Sequence, residues 1–265
     1  MTWYEGALLG LIQGATEFLP VSSSGHLVMG QALLGIELPG VAVEVALHFA
    51  TLLSVLIVYR RRVAGLIAGV ARLDPEHTRY AGLLVLASVP AAVAGLGFGG
   101  FFESLFDAPA VAGAALLVTG FVIWTARRAL AREPDGRPGA GVAVVMGLAQ
   151  AAAIVPGISR SGATVVAALW RGVSPSEAAA FSFLMSVPAI GGAALLRLPA
   201  AAWGAGGGGD GALGGALAVA AVVACVTGVL AIRTFRMMLE RRAFHLFAPY
   251  LWVAGAAFLV FVGRG

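Results

Sequence analysis

Of the 265 residues, 60% are hydrophobic and only 11% are charged, with a mean hydropathy of +0.93. A water-soluble domain cannot carry that much apolar surface, so lipid is the solvent for most of this chain. All 17 basic residues are Arg, and they punctuate apolar segments instead of forming one patch, which argues against nucleic acid as the partner behind the net charge of +4.

The first apolar segment, 3–19, ends at Pro20 and a Ser-Ser-Ser-Gly-His run, and a short apolar stretch follows at 27–34. Glu5 and Glu17, with no basic start, argue against a cleaved signal peptide. Crossing the hydrocarbon takes about 20 apolar residues, and 41–59, 80–98 and 109–126 qualify. A second broken region, 142–155, stops at Pro156, Gly157 and a Ser-Arg-Ser-Gly run before a short stretch at 163–170. Three further crossings, 176–196, 213–232 and 247–262, bring the total to six. The Gly-rich 204–211 reads as a flexible connector, and the single Cys225, inside an apolar run, reads as a small packed residue.

Irregular polar backbone is tolerated at membrane depth only where protein buries it or water fills a cavity. The two broken regions are therefore expected to be re-entrant helix-loop-helix hairpins. Gly10-Leu11-x-Gln13 and Ser22-x-Ser24-Gly25 recur, at one constant offset, as Gly147-Leu148-x-Gln150 and Ser159-x-Ser161-Gly162. The expected architecture is an all-α integral membrane domain, 1–265, of two repeats, about 1–135 and 139–265, each with one hairpin and three transmembrane helices. Arg60, Arg61, Arg62, Arg72 and Arg79, then Arg127, Arg128, Arg132 and Arg137, then Arg233, Arg236, Arg241 and Arg242, place three connections on the cytoplasmic side. The hairpins then enter from opposite faces, the repeats have inverted topology, and the two polar tips are free to meet inside the membrane.

Gln13 and Glu17, four apart, share one helical face that points to the Ser22-Ser23-Ser24-Gly25-His26 tip. A carboxylate at membrane depth is a functional candidate, although Glu17 could also be a helix-end residue reaching the interface. Beside three Ser and a Glu, His26 becomes a base or nucleophile candidate instead of a lone structural His. Arg160, between Ser159 and Ser161 and before Gly162 and Thr164, offers a planar fork suited to phosphate, with hydroxyl and backbone donors around it; a salt bridge to Glu17 is compatible with that role. Glu44 and His48, four apart, line either the cavity or the outer interface, and Glu177 suits the first turn of its helix. His77 and His245 read as solvated, and the repeated Ser-Val-Pro-Ala at 88–91 and 186–189 as helix kinks. Two function classes stay open on these residues: a hydrolase, and a transporter or flippase of lipid phosphates, since broken helices at mid-membrane are common in transporters. A purely structural subunit would need neither Arg nor Glu at this depth.

Gln13-Gly-Ala-Thr-Glu17-Phe-Leu-Pro-Val-Ser-Ser-Ser-Gly-His26 resembles the Glu/Gln-x-x-x-Glu motif, with its serine-histidine continuation, of the undecaprenyl-diphosphate phosphatase family of the bacitracin-resistance type. Pro156-Gly-Ile-Ser-Arg-Ser-Gly-Ala-Thr164 resembles that family's second motif, and Glu44 with its following helix and Phe181-Ser-Phe-Leu-Met-Ser-Val-Pro188 are similar too. The resemblance runs nearly end to end. It implies hydrolysis of a C55 isoprenoid diphosphate to the monophosphate that carries cell-wall precursors, in a bacterial plasma membrane, at a site opening to the outer face. It also implies a divalent cation, Mg²⁺ or Ca²⁺, held by Glu17 with Gln13 and Glu44, a base and nucleophile pair in His26 and Ser23, and phosphate held by Arg160. Ser22, Ser24 and Gly25 on the first tip and Ser159, Ser161, Gly162 and Thr164 on the second would complete that pocket. The implied partners are the polyprenyl diphosphate and the bilayer, with a second copy of the chain left open.

Overall fold

The computed structural model describes residues 2–34, 40–204 and 211–264, without the side chains of 31, 34, 40–45, 193–204 and 211–213. Among the described residues the chain folds into helices: α1 (Trp3–Phe18), α2 (Ser23–Leu34), α3 (Gly40–Val58), α4 (Arg60–Ala71), α5 (Pro75–Gly97), α6 (Gly99–Phe106), α7 (Pro109–Leu130), α8 (Ala140–Ala152), α9 (Arg160–Trp170), α10 (Pro175–Gly204), α11 (Gly211–Glu240) and α12 (Phe247–Val262). A 3₁₀ turn, Phe244–Leu246, leads into α12. Four helical stretches among the described residues are long and apolar enough to cross a membrane: Pro75–Gly97, Pro109–Leu130, Gly214–Glu240 and Phe244–Val262. The chain is a multi-pass helical membrane protein.

Local chemistry sets the helix ends. Thr2 and Glu5 form a reciprocal capping box at the start of α1. Asp74 caps α5 through the backbone N–H groups of Glu76 and His77, with Pro75 at the first helical position. The His77 backbone bond, with the His77 ring close by, holds the Asp74 carboxyl below the usual carboxylate range. Pro20 disfavours helical backbone in the residue before it, and Leu19 is extended where α1 stops.

Several sequence expectations shift at helix ends. Arg233 and Arg236, expected in a connection, ride on the last turns of α11, which runs to Glu240; long Arg stems reach the interface from a helix that outlasts the hydrocarbon. The connection after α3 contains the amphipathic α4, with Arg60, Arg61 and Arg62 in its first turn. His77 is paired with Asp74 at 3.0 Å. His245 is not solvated: its ring packs on Trp124 at 5.6 Å and its Nδ1 is buried. Most of the Gly-rich connector lies outside the described residues.

In lipid, helices associate through close packing of small residues. Gly6, Gly10 and Gly14 of α1 lie against the carbonyls of Ala216, Ala220 and Ala224 on α11, where a Cβ would collide. The start of α1 therefore sits beside the start of α11. At the opposite end, Arg62 forks onto Glu177 at 2.9 and 2.6 Å, Arg137 pairs with Glu76 at 3.0 Å and Arg242 with Glu133 at 2.8 Å. These pairs tie the three Arg-rich connections together. Glu177, expected only to complement its helix dipole, is thus also an ion-pair partner. Gly136 exchanges backbone hydrogen bonds with Gly172 and Ser174, so both ends of the α8–α9 hairpin are at the Arg-rich end. Beneath the hairpin tips, Phe18, Phe183, Phe235 and Phe244 stack edge to face with centroids 4.9 to 5.5 Å apart.

Candidate active site

The two hairpin tips touch. Gly25 of the first packs on Gly157 of the second, and Gly162 of the second on Pro20 of the first. Ser22 Oγ donates to the Ile158 carbonyl and Ser161 Oγ to the Leu19 carbonyl, each at 3.4 Å, so each tip satisfies a backbone oxygen of the other. Within the tips the repeated serines do equivalent things. Ser22 Oγ accepts from Gly25 N and lies 3.3 Å from Ser24 Oγ; Ser159 Oγ accepts from Gly162 N and lies 3.3 Å from Ser161 Oγ. Ser22 and Ser159 are therefore helix N-caps for α2 and α9. Ser22 holds a left-handed backbone, φ +66°, as does Gly157, φ +97°, whose missing Cβ leaves room for the Ala112 carbonyl.

At the contact of the tips lies one connected polar chain. Arg160 Nη2 donates to Glu17 Oε1 at 2.7 Å. Ser23 Oγ donates to Glu17 Oε2 at 2.8 Å, and Gln13 Nε2 reaches the same oxygen at 3.2 Å. The Glu17 and Arg160 side chains are only 8% and 16% exposed, so this ion pair is largely desolvated. Among the described residues Arg160 Nη1 is buried with no hydrogen-bond partner. A buried guanidinium nitrogen rarely stays unsatisfied, and it marks a position where an oxyanion would be held.

His26 stands one turn along α2. Its Nδ1 lies 2.8 Å from the Ser22 carbonyl and its Nε2 lies 2.6 Å from the Tyr250 hydroxyl. A carbonyl only accepts, so Nδ1 carries the proton, and in the neutral ring Nε2 accepts from Tyr250. Among the described residues no hydrogen bond joins His26 to Ser23; the serine points at Glu17 instead. Thr164 is fully buried, donating to the Arg160 carbonyl at 2.7 Å with its oxygen also 2.7 Å from Ser182 Oγ, which directs it along α9 and toward α10. Glu44 lies on α3, its side chain outside the described residues, and His48 lies one turn further along the same helix.

Two supporting residues escaped the sequence reading. Thr119 of α7 donates to the Gly157 carbonyl at 2.8 Å and accepts from Ser159 N at 3.2 Å, bracing the second tip. Tyr250 supplies the partner of His26. The only sign of either in the sequence is a hydroxyl inside an apolar run.

These features define a helical membrane protein in which two hairpin tips meet around a largely buried Glu17–Arg160 ion pair. The family model for the bacitracin resistance protein BacA matches residues 6–257, and the chain belongs to that family. Proteins named undecaprenyl-diphosphatase match along nearly their whole length. The one from Desulforapulum autotrophicum is 36% identical, covering 96% of each chain. The one from Salinibacter ruber is 42% identical over 96% of this chain and 97% of its own. The one from Syntrophotalea carbinolica is 39% identical over 97% and 98%.

Proposed function

We propose that this protein hydrolyses undecaprenyl diphosphate to undecaprenyl phosphate and inorganic phosphate, recycling the lipid carrier for cell-wall synthesis. Full-length relatives carry that activity in their names. The observation on this chain that carries the reading is the Ser23–Glu17–Arg160 chain with Arg160 Nη1 left over.

Phosphoryl transfer depends chiefly on stabilising charge on the transferred group and on placing the attacking oxygen. A terminal phosphate drawn to the free side of Arg160 competes with Glu17 for the guanidinium. As that ion pair loosens, Glu17, whose Oε2 already accepts from Ser23 Oγ, can take the Ser23 proton. Ser23 oxygen then attacks the terminal phosphorus, undecaprenyl phosphate leaves, and water cleaves the phosphoseryl ester to release phosphate and restore Ser23. His26, whose Nε2 lone pair accepts from the Tyr250 hydroxyl until that water displaces it, is the base for this step. Ser22, Ser24, Ser159 and Ser161 shape the tips, with Gly25 and Gly162 allowing their close approach. Thr164 acts by fixing the first turn of α9.

The expected Mg²⁺ or Ca²⁺ is restricted by the donors present. Among the described residues no three His, Cys, Asp or Glu side chains converge on one point. Glu17 offers a carboxylate and Gln13 an amide beside it, so these residues would hold the cation, with Glu44 a further candidate ligand. Such an ion would neutralise phosphate charge.

The site reading fits a chain of two inverted repeats within one membrane domain, each repeat a hairpin and three crossings. Supporting it are the α1 start beside the start of α11 and the α8–α9 hairpin rooted among the Arg-rich connections at the other end. With those connections cytoplasmic, the first hairpin opens to the outer face, where the lipid diphosphate is reached.

The test is turnover of C55 prenyl diphosphate by purified protein in detergent, with and without Mg²⁺ or Ca²⁺. One inorganic phosphate per lipid consumed, with the monophosphate as lipid product, is expected. Saturable lipid binding that needs Arg160, with no cleavage under any metal condition, would overturn the hydrolase in favour of a transporter.

A further inference from the structure

Tyr250 belongs to neither motif, yet its hydroxyl lies 2.6 Å from His26 Nε2, with the two rings 12° from parallel and their centroids 5.8 Å apart. It lies in the first turn of α12, 49% exposed, and its neighbours Ala248 and Trp252 pack against Gly120, halfway along α7. A tyrosine hydroxyl within an apolar stretch needs a partner.

The partner it has is the one basic nitrogen of the site's imidazole. Ser22 fixes Nδ1 as a donor through its carbonyl, and that carbonyl is itself oriented by the left-handed backbone of Ser22. Tyr250 closes the other side, reaching from α12 across to α2. Bound at both nitrogens by groups on different helices, the ring has one tautomer and one orientation. When Nε2 takes a proton the roles reverse, and the Tyr250 oxygen accepts from Nε2–H, so the contact serves the imidazolium as well.

We infer that Tyr250 is a positioning residue for the hydrolysis, holding the basic Nε2 of His26 in place across the α2–α12 gap until a water or phosphoryl oxygen takes it. The inference rests on the reading that His26 assists the attack on the phosphoryl group. Losing a positioning contact lowers turnover more than lipid binding, because the tail and diphosphate bind through other groups.

The experiment is a cycle of Tyr250→Phe, His26→Ala and the double variant, assayed for phosphate release from C55 diphosphate, with ¹⁵N-histidine spectra of the wild type. Tyr250→Phe is expected to lower kcat on the order of tenfold with KM within about twofold. In the His26→Ala background the same substitution should change little. The wild-type spectrum should show His26 protonated at Nδ1. Unchanged kcat in Tyr250→Phe beside an impaired His26→Ala, an equal loss in both backgrounds, or His26 protonated at Nε2 alone would each overturn the role of Tyr250. A fully active His26→Ala would instead overturn the part given to His26, leaving the Ser23–Glu17–Arg160 chain standing.

Discussion

Arg160 shows how much of the site depends on the shape of one side chain. One guanidinium nitrogen holds Glu17 while another is buried and unpaired among the described residues, so a single planar group can face a carboxylate and a phosphate at once. A lysine has the charge but not the fork. Arg160→Lys is therefore expected to lower kcat/KM for phosphate release by about 10²-fold, with folding retained because Glu17 keeps a cation to pair with. Near wild-type activity in that variant would mean that charge alone suffices. Arg160 and Glu17 were both legible in the sequence, since charged residues at membrane depth stand out against an apolar background. Their partners were less so. Ser23 bonding Glu17 instead of His26 is a matter of rotamer and helix phase, which motif spacing does not determine.

At the scale of helices, the repeated Ser-x-Ser-Gly tips were legible because the same local task, capping a short helix at depth, needs the same residue types twice. What brings the tips into contact was not. Gly6, Gly10 and Gly14 pack on α11, a helix remote in the chain. The stripe holds α1, and with it Gln13 and Glu17, at a fixed height. Gly10→Leu would drive a side chain into the Ala220 carbonyl, which cannot move aside as a flexible side chain can. It is expected to destabilise the protein by about 2–3 kcal/mol, seen as a lower thermal midpoint in detergent. Gly30→Leu on α2, with nothing near a built Cβ, is the matched control and should leave the midpoint almost unchanged. Equal shifts in both would mean the α1–α11 contact is not tight. Thr119 and Tyr250 stayed hidden for a related reason: each acts across a helix interface whose partner is remote in the chain.

For the whole molecule, the arginine pattern predicts a cytoplasmic side for three connections, and ion pairs hold those connections together at one end of the bundle. With Cys225 replaced by Ser, an impermeant maleimide added to intact cells should label Ser104→Cys on α6 and leave Arg241→Cys unlabelled until the membrane is opened. The reverse pattern would invert the topology. The helix lengths were less legible, since α11 and the Arg233 and Arg236 on it continue past the apolar run. The fold as a whole brings one polar tip from each half to a shared point, and the central claim is that the two make one active site. The measurement that tests it most directly is kcat/KM for phosphate release in Ser23→Ala, Arg160→Ala and the double variant, one residue from each tip. One shared site predicts a loss of about 10²–10³-fold in each single variant and little further loss in the double, because both substitutions disable the same step. Losses that multiply in the double variant, or an Arg160→Ala protein that still turns over at the wild-type rate, would contradict it.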